Sequence, residues 1–243
     1  MSDVTEPAAV TTYEVAEDGV ALIQLDRPRA RNAINTQMLG ELLEHLAVAR
    51  GDDAVRVLVF SSTDHMGFSA GADVREELDH DAHVQRMQMF SDLYDGIVAF
   101  PKPTVAACHG DVVGGGAEVA IACDMRVGGS NLRMRFPGAA LGMPVGPARL
   151  VTLCGLAAAK YLLLSSRTVG PDEALRLNLI NRVAPAAATE ESALALAASV
   201  AAHPPEAVAR LKRMLHEWDD IEGRSAAEGI GQVEHVRGLG FPE

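Results

Sequence analysis

Cysteine is scarce in this chain, and the few that are present form no recognisable pattern. Cys108, Cys123 and Cys154 are odd in number, lie within apolar segments and include no C-x-x-C pair. These features argue against a disulfide framework or a zinc site and predict buried thiols in a reducing compartment. The first ten residues are acidic and lack a basic segment followed by an apolar one, so no secretory signal is expected. We therefore expect a cytoplasmic protein.

Positive charge is also in short supply. The 243 residues include 21 Lys and Arg against 33 Asp and Glu, which gives a formal net charge of −12. Such a chain is not expected to bind nucleic acid or an anionic membrane surface in general. No apolar run approaches the length that crosses a bilayer, and no P-loop or dinucleotide-binding fingerprint occurs. Any anionic ligand must therefore be held by a local basic cluster.

Metal-ligand patterns are missing as well. His80 and His83 are close in sequence, but no further ligands follow at a matching spacing, so no metal site is predicted. Apolar sequence, by contrast, is plentiful at 48% of the chain. That is enough for one large domain, or for a domain with a smaller appendage.

The most informative stretch runs from Thr104 to Val127. Its first residues, Thr104–Cys108, have the short apolar pattern of a buried strand. Three glycines, Gly114–Gly116, then precede a segment typical of a buried helix, and that segment carries Glu118. Free N–H groups at a helix start attract an anion or a developing oxyanion. Glu118 is therefore either an acid/base group beside an oxyanion pocket or a structural carboxylate that caps the same N–H groups.

A second glycine-containing loop, Gly67–Asp73, also has two interpretations. Its first five residues match the G-x-S-x-G motif, which would make Ser69 the nucleophile of an α/β-hydrolase. That motif requires a strand leading directly into the serine, but six residues, Ser61–Met66, lie between the predicted strand and Gly67. In the alternative interpretation, the backbone near Ala72 supplies an N–H donor and Asp73 caps or orients the turn.

A basic loop lies near the N-terminus, directly after a predicted hairpin. It contains three arginines within five residues, namely Arg27, Arg29 and Arg31. In an acidic protein this loop is the leading candidate for binding phosphate, because guanidinium groups match phosphate oxygens. A solvated loop that pairs with surface acids is the alternative.

Together, the segments RPRARNAIN, GFSAGADVRE and KPTVAACHGDVVGGGAEVAIACDMRV resemble the crotonase superfamily of enoyl-CoA hydratases, isomerases and related acyl-CoA enzymes. The resemblance implies an α/β fold, a spiral of repeated ββα units with a C-terminal helical region. It places the acyl-CoA-binding core at residues 1–185 and the helical region, for oligomerisation and pocket closure, at residues 186–243. It also implies a homotrimer or a hexamer, and no cofactor beyond the coenzyme A of the substrate.

The resemblance also assigns roles to residues. The thioester oxygen is expected on the backbone N–H groups of Ala72 and Gly115, and Glu118 is expected to activate water. The residues expected to bind the rest of the substrate are Arg29, Ala30, Arg31, Ala70, Asp73, Val74 and Gly114.

One position departs from the hydratase pattern. Hydratases carry a second glutamate after an aromatic residue and a proline, whereas this chain has Gly138 there, after Phe136 and Pro137. The leading hypothesis is still a hydratase-like enzyme. An isomerase or another enolate reaction that uses Glu118 alone is the first alternative, and a non-catalytic acyl-CoA-binding protein is the second.

The remaining elements are predicted from periodicity and from glycine and proline. The predicted strands are 13–15, 20–25, 55–60 and 179–183, and the predicted helices are 36–50, 155–166, 171–177, 190–202 and 205–219. Thr36 is the expected cap of the first of these helices. The last thirteen residues show no clear pattern.

Overall fold

The computed structural model describes residues 8–240, which form ten β-strands and eight α-helices. The strands are β1 (Thr11–Val15), β2 (Val20–Leu25), β3 (Val57–Ser62), β4 (Gly67–Ser69), β5 (Thr104–Cys108), β6 (Asp111–Val113), β7 (Met125–Gly129), β8 (Arg133–Arg135), β9 (Thr168–Val169) and β10 (Arg182–Ala184). The helices are α1 (Thr36–Gly51), α2 (His80–Val98), α3 (Gly115–Ala122), α4 (Pro147–Ser165), α5 (Pro171–Arg176), α6 (Thr189–Ala201), α7 (Pro205–Asp219) and α8 (Ile221–Leu239).

The chain builds two sheets as it advances. The larger sheet has the order β1-β2-β3-β5-β7-β10 and the smaller one β4-β6-β8-β9. Only β1 and β9 run antiparallel to their neighbours. Each repeat places one strand in the larger sheet and the next in the smaller sheet before a helix follows, as in β3-β4-α2, β5-β6-α3 and β7-β8-α4. This is the predicted spiral of ββα units, and helices α6 to α8 form the predicted C-terminal helical region.

Both faces of the larger sheet are covered, as a parallel sheet requires. Because side chains alternate along a strand, Leu58 and Phe60 of β3 face the main core with α1 and α2. Val57 and Val59 face the other side, where α6 presents a row of alanines. The small alanine side chains allow α6 to lie close to the sheet.

Most of the predicted elements are confirmed. The hairpin of β1 and β2, the strand Thr104–Cys108 and the helix Pro205–Asp219 all form. Cys108 and Cys123 are buried free thiols, as predicted, whereas Cys154 is only partly buried.

Three details of the helices differ from prediction. Asn35 caps α1, since its side chain accepts a hydrogen bond from the N–H of Met38 at 3.0 Å, although Thr36 was the expected cap. Helix α4 begins at Pro147, eight residues before the predicted start, and its backbone is non-helical at Gly155. Helix α8 was not predicted, because it contains four glycines and its apolar residues are weakly periodic.

By length and mean hydropathy, α4 is the one described helix that could cross a membrane. The backbone at Gly155, with φ 75° and ψ 162°, divides it into two shorter helices. Neither part has the roughly 20 residues that a bilayer requires.

Candidate active site

Two glycine-containing loops meet backbone to backbone at the start of α3. Gly71 has φ +95°, and a Cβ built on it would lie 2.8 Å from the carbonyl oxygen of Val113 and 3.3 Å from the nitrogen of Gly115. Only glycine tolerates both this conformation and this approach. Gly71 therefore allows the Gly67–Asp73 loop to pack directly against the start of α3.

This contact brings the two predicted oxyanion donors together. Ile34 donates a hydrogen bond to the oxygen of Gly71 at 2.7 Å and accepts one from the nitrogen of Asp73 at 2.9 Å. The N–H of Ala72, between those two residues, takes no part in this bridge. Gly115 is the first residue of α3, so its N–H has no acceptor within the helix. A Cβ on Gly115 would lie 3.5 Å from the nitrogen of Ala72, so the two donors border one small space.

Ser69 has a structural place in the first loop. Its hydroxyl donates to the carbonyl oxygen of Asn32 at 2.7 Å and accepts from the N–H of Gly71 at 3.1 Å. Within residues 8–240, no histidine or carboxylate bonds to Ser69. The serine-hydrolase arrangement is therefore not formed in the part of the chain that the structure describes.

Glu118 is buried on α3, with 1% of its side chain exposed. Its Oε2 accepts from two atoms of Arg149, Nη2 at 2.9 Å and Nε at 3.1 Å. Its Oε1 accepts no hydrogen bond from any residue in the described range. One oxygen is thus held by a cation, while the other has no hydrogen-bond partner among the described residues.

Arg149 is the centre of a buried polar network. Its Nη2 also donates to Glu228 on α8 at 2.6 Å, and its Nη1 donates to Ser225 at 2.8 Å. The guanidinium carbon lies 5.0 Å from the ring centroid of Tyr94 on α2, within cation–π range. The arginine thereby links α2, α3, α4 and α8.

Burial dominates the electrostatics of Glu118. Desolvation raises the pKa of Glu118 to about 7, Arg149 opposes this rise, and the nearby Glu228 carboxylate adds to it. A carboxyl group with such a pKa can both accept and release a proton near neutral pH. This fits the acid/base interpretation of Glu118 better than the capping one.

Gly138 lies in a closed turn. Its carbonyl oxygen accepts from the N–H of Met143 at 2.8 Å. A Cβ on Gly138 would lie 2.5 Å from the oxygen of Met143 and 3.0 Å from Cγ1 of Val145. There is no room for a side chain at this position.

The basic loop lies beside the first donor loop, because the N–H of Ala70 donates to the oxygen of Arg31 at 3.0 Å. Arg27 forms a 2.5 Å ion pair with Asp73, and Asp73 also accepts a hydrogen bond from the N–H of Arg75. Asp73 thus orients the loop. Arg29 is exposed and open to solvent.

The substrate-binding residues predicted from the resemblance lie close to this loop junction. Arg29, Arg31, Ala70 and Val74 are exposed, Ala30 and Gly114 are partly buried, and Asp73 is buried. Their contacts with coenzyme A stay predictions.

The network around Glu118 was not predicted from the sequence. Arg149 follows a proline-rich turn that gave no charge pattern, and Glu228 lies in a segment without clear helical periodicity. The available signal was the polar stripe of Ser225, Glu228 and Gln232, whose spacing places all three on one helix face.

Comparison with known proteins identifies the family. A family model described as Enoyl-CoA hydratase/isomerase matches residues 15–229. The 2,3-dehydroadipyl-CoA hydratase of Escherichia coli (strain K12) is 33% identical over 205 residues, which cover 83% of this chain and 80% of that protein. The human protein "Enoyl-CoA hydratase domain-containing protein 2, mitochondrial" is 36% identical, with coverage of 90% of this chain and 79% of that protein.

Solved structures agree. An enoyl-CoA hydratase/isomerase from Xanthobacter autotrophicus Py2 superposes with a TM-score of 0.87 at 25% identity, covering 97% of this chain and 90% of that one. A putative crotonase from Legionella pneumophila gives a TM-score of 0.81 at 30% identity, with coverage of 87% and 83%. The fold is therefore that of the crotonase superfamily, and within it the chain belongs to the enoyl-CoA hydratase/isomerase family. Membership supports an enzyme that acts on an acyl-CoA thioester.

Proposed function

We propose that this protein is an enoyl-CoA hydratase-like enzyme that adds water to a 2-enoyl-CoA, with Glu118 as its acid/base group. The observation that carries the proposal is the asymmetry of Glu118, whose Oε2 is held by Arg149 while Oε1 has no partner among the described residues. The similarity to the E. coli hydratase adds support.

The oxyanion pocket would supply most of the electrostatic stabilisation. When water adds at the β carbon, the electron pair of the double bond moves to the α carbon and charge develops on the thioester oxygen. We propose that the N–H groups of Ala72 and Gly115 receive that oxygen, and the small space that both donors border supports this. Each donor of this kind contributes about 2.7–4 kcal/mol to transition-state stabilisation.

Glu118 would move a single proton. Its Oε1 takes a proton from water as the water oxygen bonds to the β carbon. The same proton then returns from Oε1 to the α carbon as the enolate collapses. Atoms and charge balance with one carboxylate, provided that its pKa lies close to the working pH, and a pKa of about 7 supports this requirement.

We also propose that Gly138 stands where the hydratases carry their second glutamate. The closed turn at Gly138 leaves no room for a side chain, which supports a site with a single acid. The single acid keeps one alternative open: movement of a double bond, where Glu118 carries a proton between the α and γ carbons. A non-catalytic acyl-CoA-binding protein is the second alternative.

We propose Arg29 and Arg31 as ligands of the coenzyme A phosphates, with no separate cofactor. We further propose a homotrimer or hexamer. Leu211, Leu215 and Trp218 are 61%, 60% and 77% exposed on one face of α7, and an apolar surface of this kind is typical of a subunit contact.

Turnover of a short and a long 2-enoyl-CoA, with a 3-enoyl-CoA in parallel, tests the reaction. Wild-type protein is expected to hydrate a 2-enoyl-CoA, while Glu118→Gln binds it without turnover. The matched control is Glu234→Gln, which alters an exposed glutamate on α8 and should leave the rate unchanged. If the wild type and Glu118→Gln both bind the thioester and neither converts it, the enzyme hypothesis fails. Conversion of the 3-enoyl-CoA alone favours the isomerase.

A further inference from the structure

Helix α8 delivers a second carboxylate to the buried network around Glu118. The side chain of Glu228 is 6% exposed and accepts hydrogen bonds from four donors. Oε1 receives the N–H of Gly146 at 2.8 Å, Nη2 of Arg149 at 2.6 Å and Nε2 of Gln232 at 2.7 Å, and Oε2 receives the N–H of Ala148 at 2.7 Å. A carboxylate held by this many donors is fixed in position.

We infer that Glu228 is a positioning residue of the active site, which divides the charge of Arg149 with Glu118 and so keeps Glu118 able to take up and return a proton. The inference rests on the proposed function for its catalytic meaning. The expected effect of Glu228 on the titration of Glu118 is a property of the unliganded protein alone.

Glu118 and Glu228 share one nitrogen of Arg149. Nη2 of Arg149 bonds both to Oε2 of Glu118 at 2.9 Å and to Oε1 of Glu228 at 2.6 Å. A guanidinium engaged by one carboxylate alone would stabilise the anion of that carboxylate more strongly. It would thereby disfavour the protonated form that Glu118 must adopt between the two proton transfers. Because Glu228 takes part of the guanidinium, Glu118 is stabilised less as an anion.

The described ionisable groups around these two carboxylates are mostly acidic. The ionisable groups that face Glu118 and Glu228 are Tyr94 and Asp95 of α2, and Arg149 of α4. Asp95 accepts from the hydroxyl of Ser225 at 2.6 Å and adds further negative charge. One cation therefore serves several acidic groups, so a proton on Glu118 relieves repulsion.

Glu228 binds the N–H groups of Gly146 and Ala148 and so fixes the start of α4. That backbone is the surface against which the free Oε1 of Glu118 lies, since a Cβ on Gly146 would come within 2.5 Å of it. Glu228 thereby fixes the guanidinium group of Arg149 and also the backbone that lies against Oε1 of Glu118.

The decisive measurement is the titration of Glu118 in the free protein, followed by NMR of ¹³C-labelled glutamate carboxyl groups and assigned with Glu118→Gln. In Glu228→Gln, Arg149 pairs fully with Glu118, so the midpoint of Glu118 is expected to fall by about one pH unit. The acidic limb of the kcat/KM profile should move in the same direction. The plateau kcat should fall several-fold, while KM changes little.

Two controls separate charge from structure. Ser225→Ala breaks the bonds to Arg149 and Asp95 without removing a charge, so the Glu118 midpoint should stay at its wild-type value. Glu234→Gln removes an exposed charge from the same helix and should also have no effect. An unchanged Glu118 midpoint in folded Glu228→Gln, or an equal shift in Ser225→Ala, overturns the inference.

A variant with a shorter acid covers the case in which Glu228→Gln does not fold. In Glu228→Asp the carboxylate cannot reach Arg149 and both N–H groups together, so the Glu118 midpoint should fall by a smaller amount; no shift overturns the inference. Because the NMR readout needs no substrate, a protein that lacks hydratase activity refutes the proposed function and leaves this measurement intact.

Discussion

Gly146 lies directly against the free oxygen of the buried acid Glu118. A Cβ built on Gly146 would lie 2.5 Å from Oε1 of Glu118, and Gly146 has φ +96°. The glycine thus lets the start of α4 approach the carboxylate more closely than any side chain would allow. The oxygen proposed to move the proton faces a backbone surface.

Gly146→Ala is therefore expected to displace Glu118 and to reduce kcat by at least tenfold, because a small error in the position of an acid/base group costs much of its effect. Gly142→Ala is the matched control. Gly142 also has a positive φ, +71°, but a Cβ there would meet nothing within 4 Å. Steady-state turnover and thermal melts of both variants check this. Equal losses of activity in the two would mean that backbone strain, and not the contact with Glu118, is responsible.

The raised pKa of Glu118 should also make the stability of the protein depend on pH. This pKa rises from 4.5 to about 7 on folding, so the folded protein binds more protons than the unfolded chain between these values. The contribution of Glu118 to the free energy of unfolding is fully present below pH 4.5 and is lost as the pH rises through 7. Denaturant unfolding from pH 4.5 to 8 is expected to show a smaller decline in stability for Glu118→Gln than for the wild type. Parallel curves would contradict the raised pKa.

Removing an oxyanion donor tests the pocket without changing a side-chain charge. Ala72→Pro deletes an N–H that takes no part in the bridge to Ile34. We expect kcat to fall by about 10²–10³, with affinity for free coenzyme A unchanged because coenzyme A has no thioester oxygen. Calorimetric titration with coenzyme A is the control measurement. An equal loss of coenzyme A affinity would indicate that the loop itself is disrupted.

The sequence predicts the backbone of the candidate site better than it predicts the side-chain network around Glu118. The glycine loops, the strand before them and Glu118 could be predicted because each is a local pattern: Gly71 and Gly115 belong to short motifs. Arg149 and Glu228 come from distant segments, and only the packing of α8 on α2 and α4 brings them to Glu118. No local periodicity carries that information, and the four glycines of α8 conceal even the helix.

A glutamate introduced at position 138 should not create a two-glutamate hydratase. A Cβ there would lie 2.5 Å from the oxygen of Met143, so Gly138→Glu is expected to cost about 1–3 kcal/mol of stability through overpacking and to leave kcat no higher than in the wild type. Gly138→Ala places the same Cβ without the acid and should be destabilised similarly. Thermal melts and turnover of both variants check this. A rise in kcat for Gly138→Glu alone would show that the turn can open to admit a second acid.

The proposed role of Arg29 and Arg31 depends on the phosphates of coenzyme A and not on the thioester. The double variant Arg29→Ala/Arg31→Ala should therefore raise KM for an enoyl-CoA roughly tenfold, since a charge-assisted hydrogen bond contributes about 1.5–3 kcal/mol before solvent screening. It should leave kcat/KM unchanged for the same acyl group on a short thiol that lacks phosphates, and added salt should narrow its difference from the wild type. Arg213→Ala, an exposed arginine on α7, is the control for a general loss of positive charge. Equal losses on both substrates would contradict phosphate binding. They would indicate that the loop positions the neighbouring Ala70–Asp73 segment, because the main chain of Arg31 bonds to Ala70.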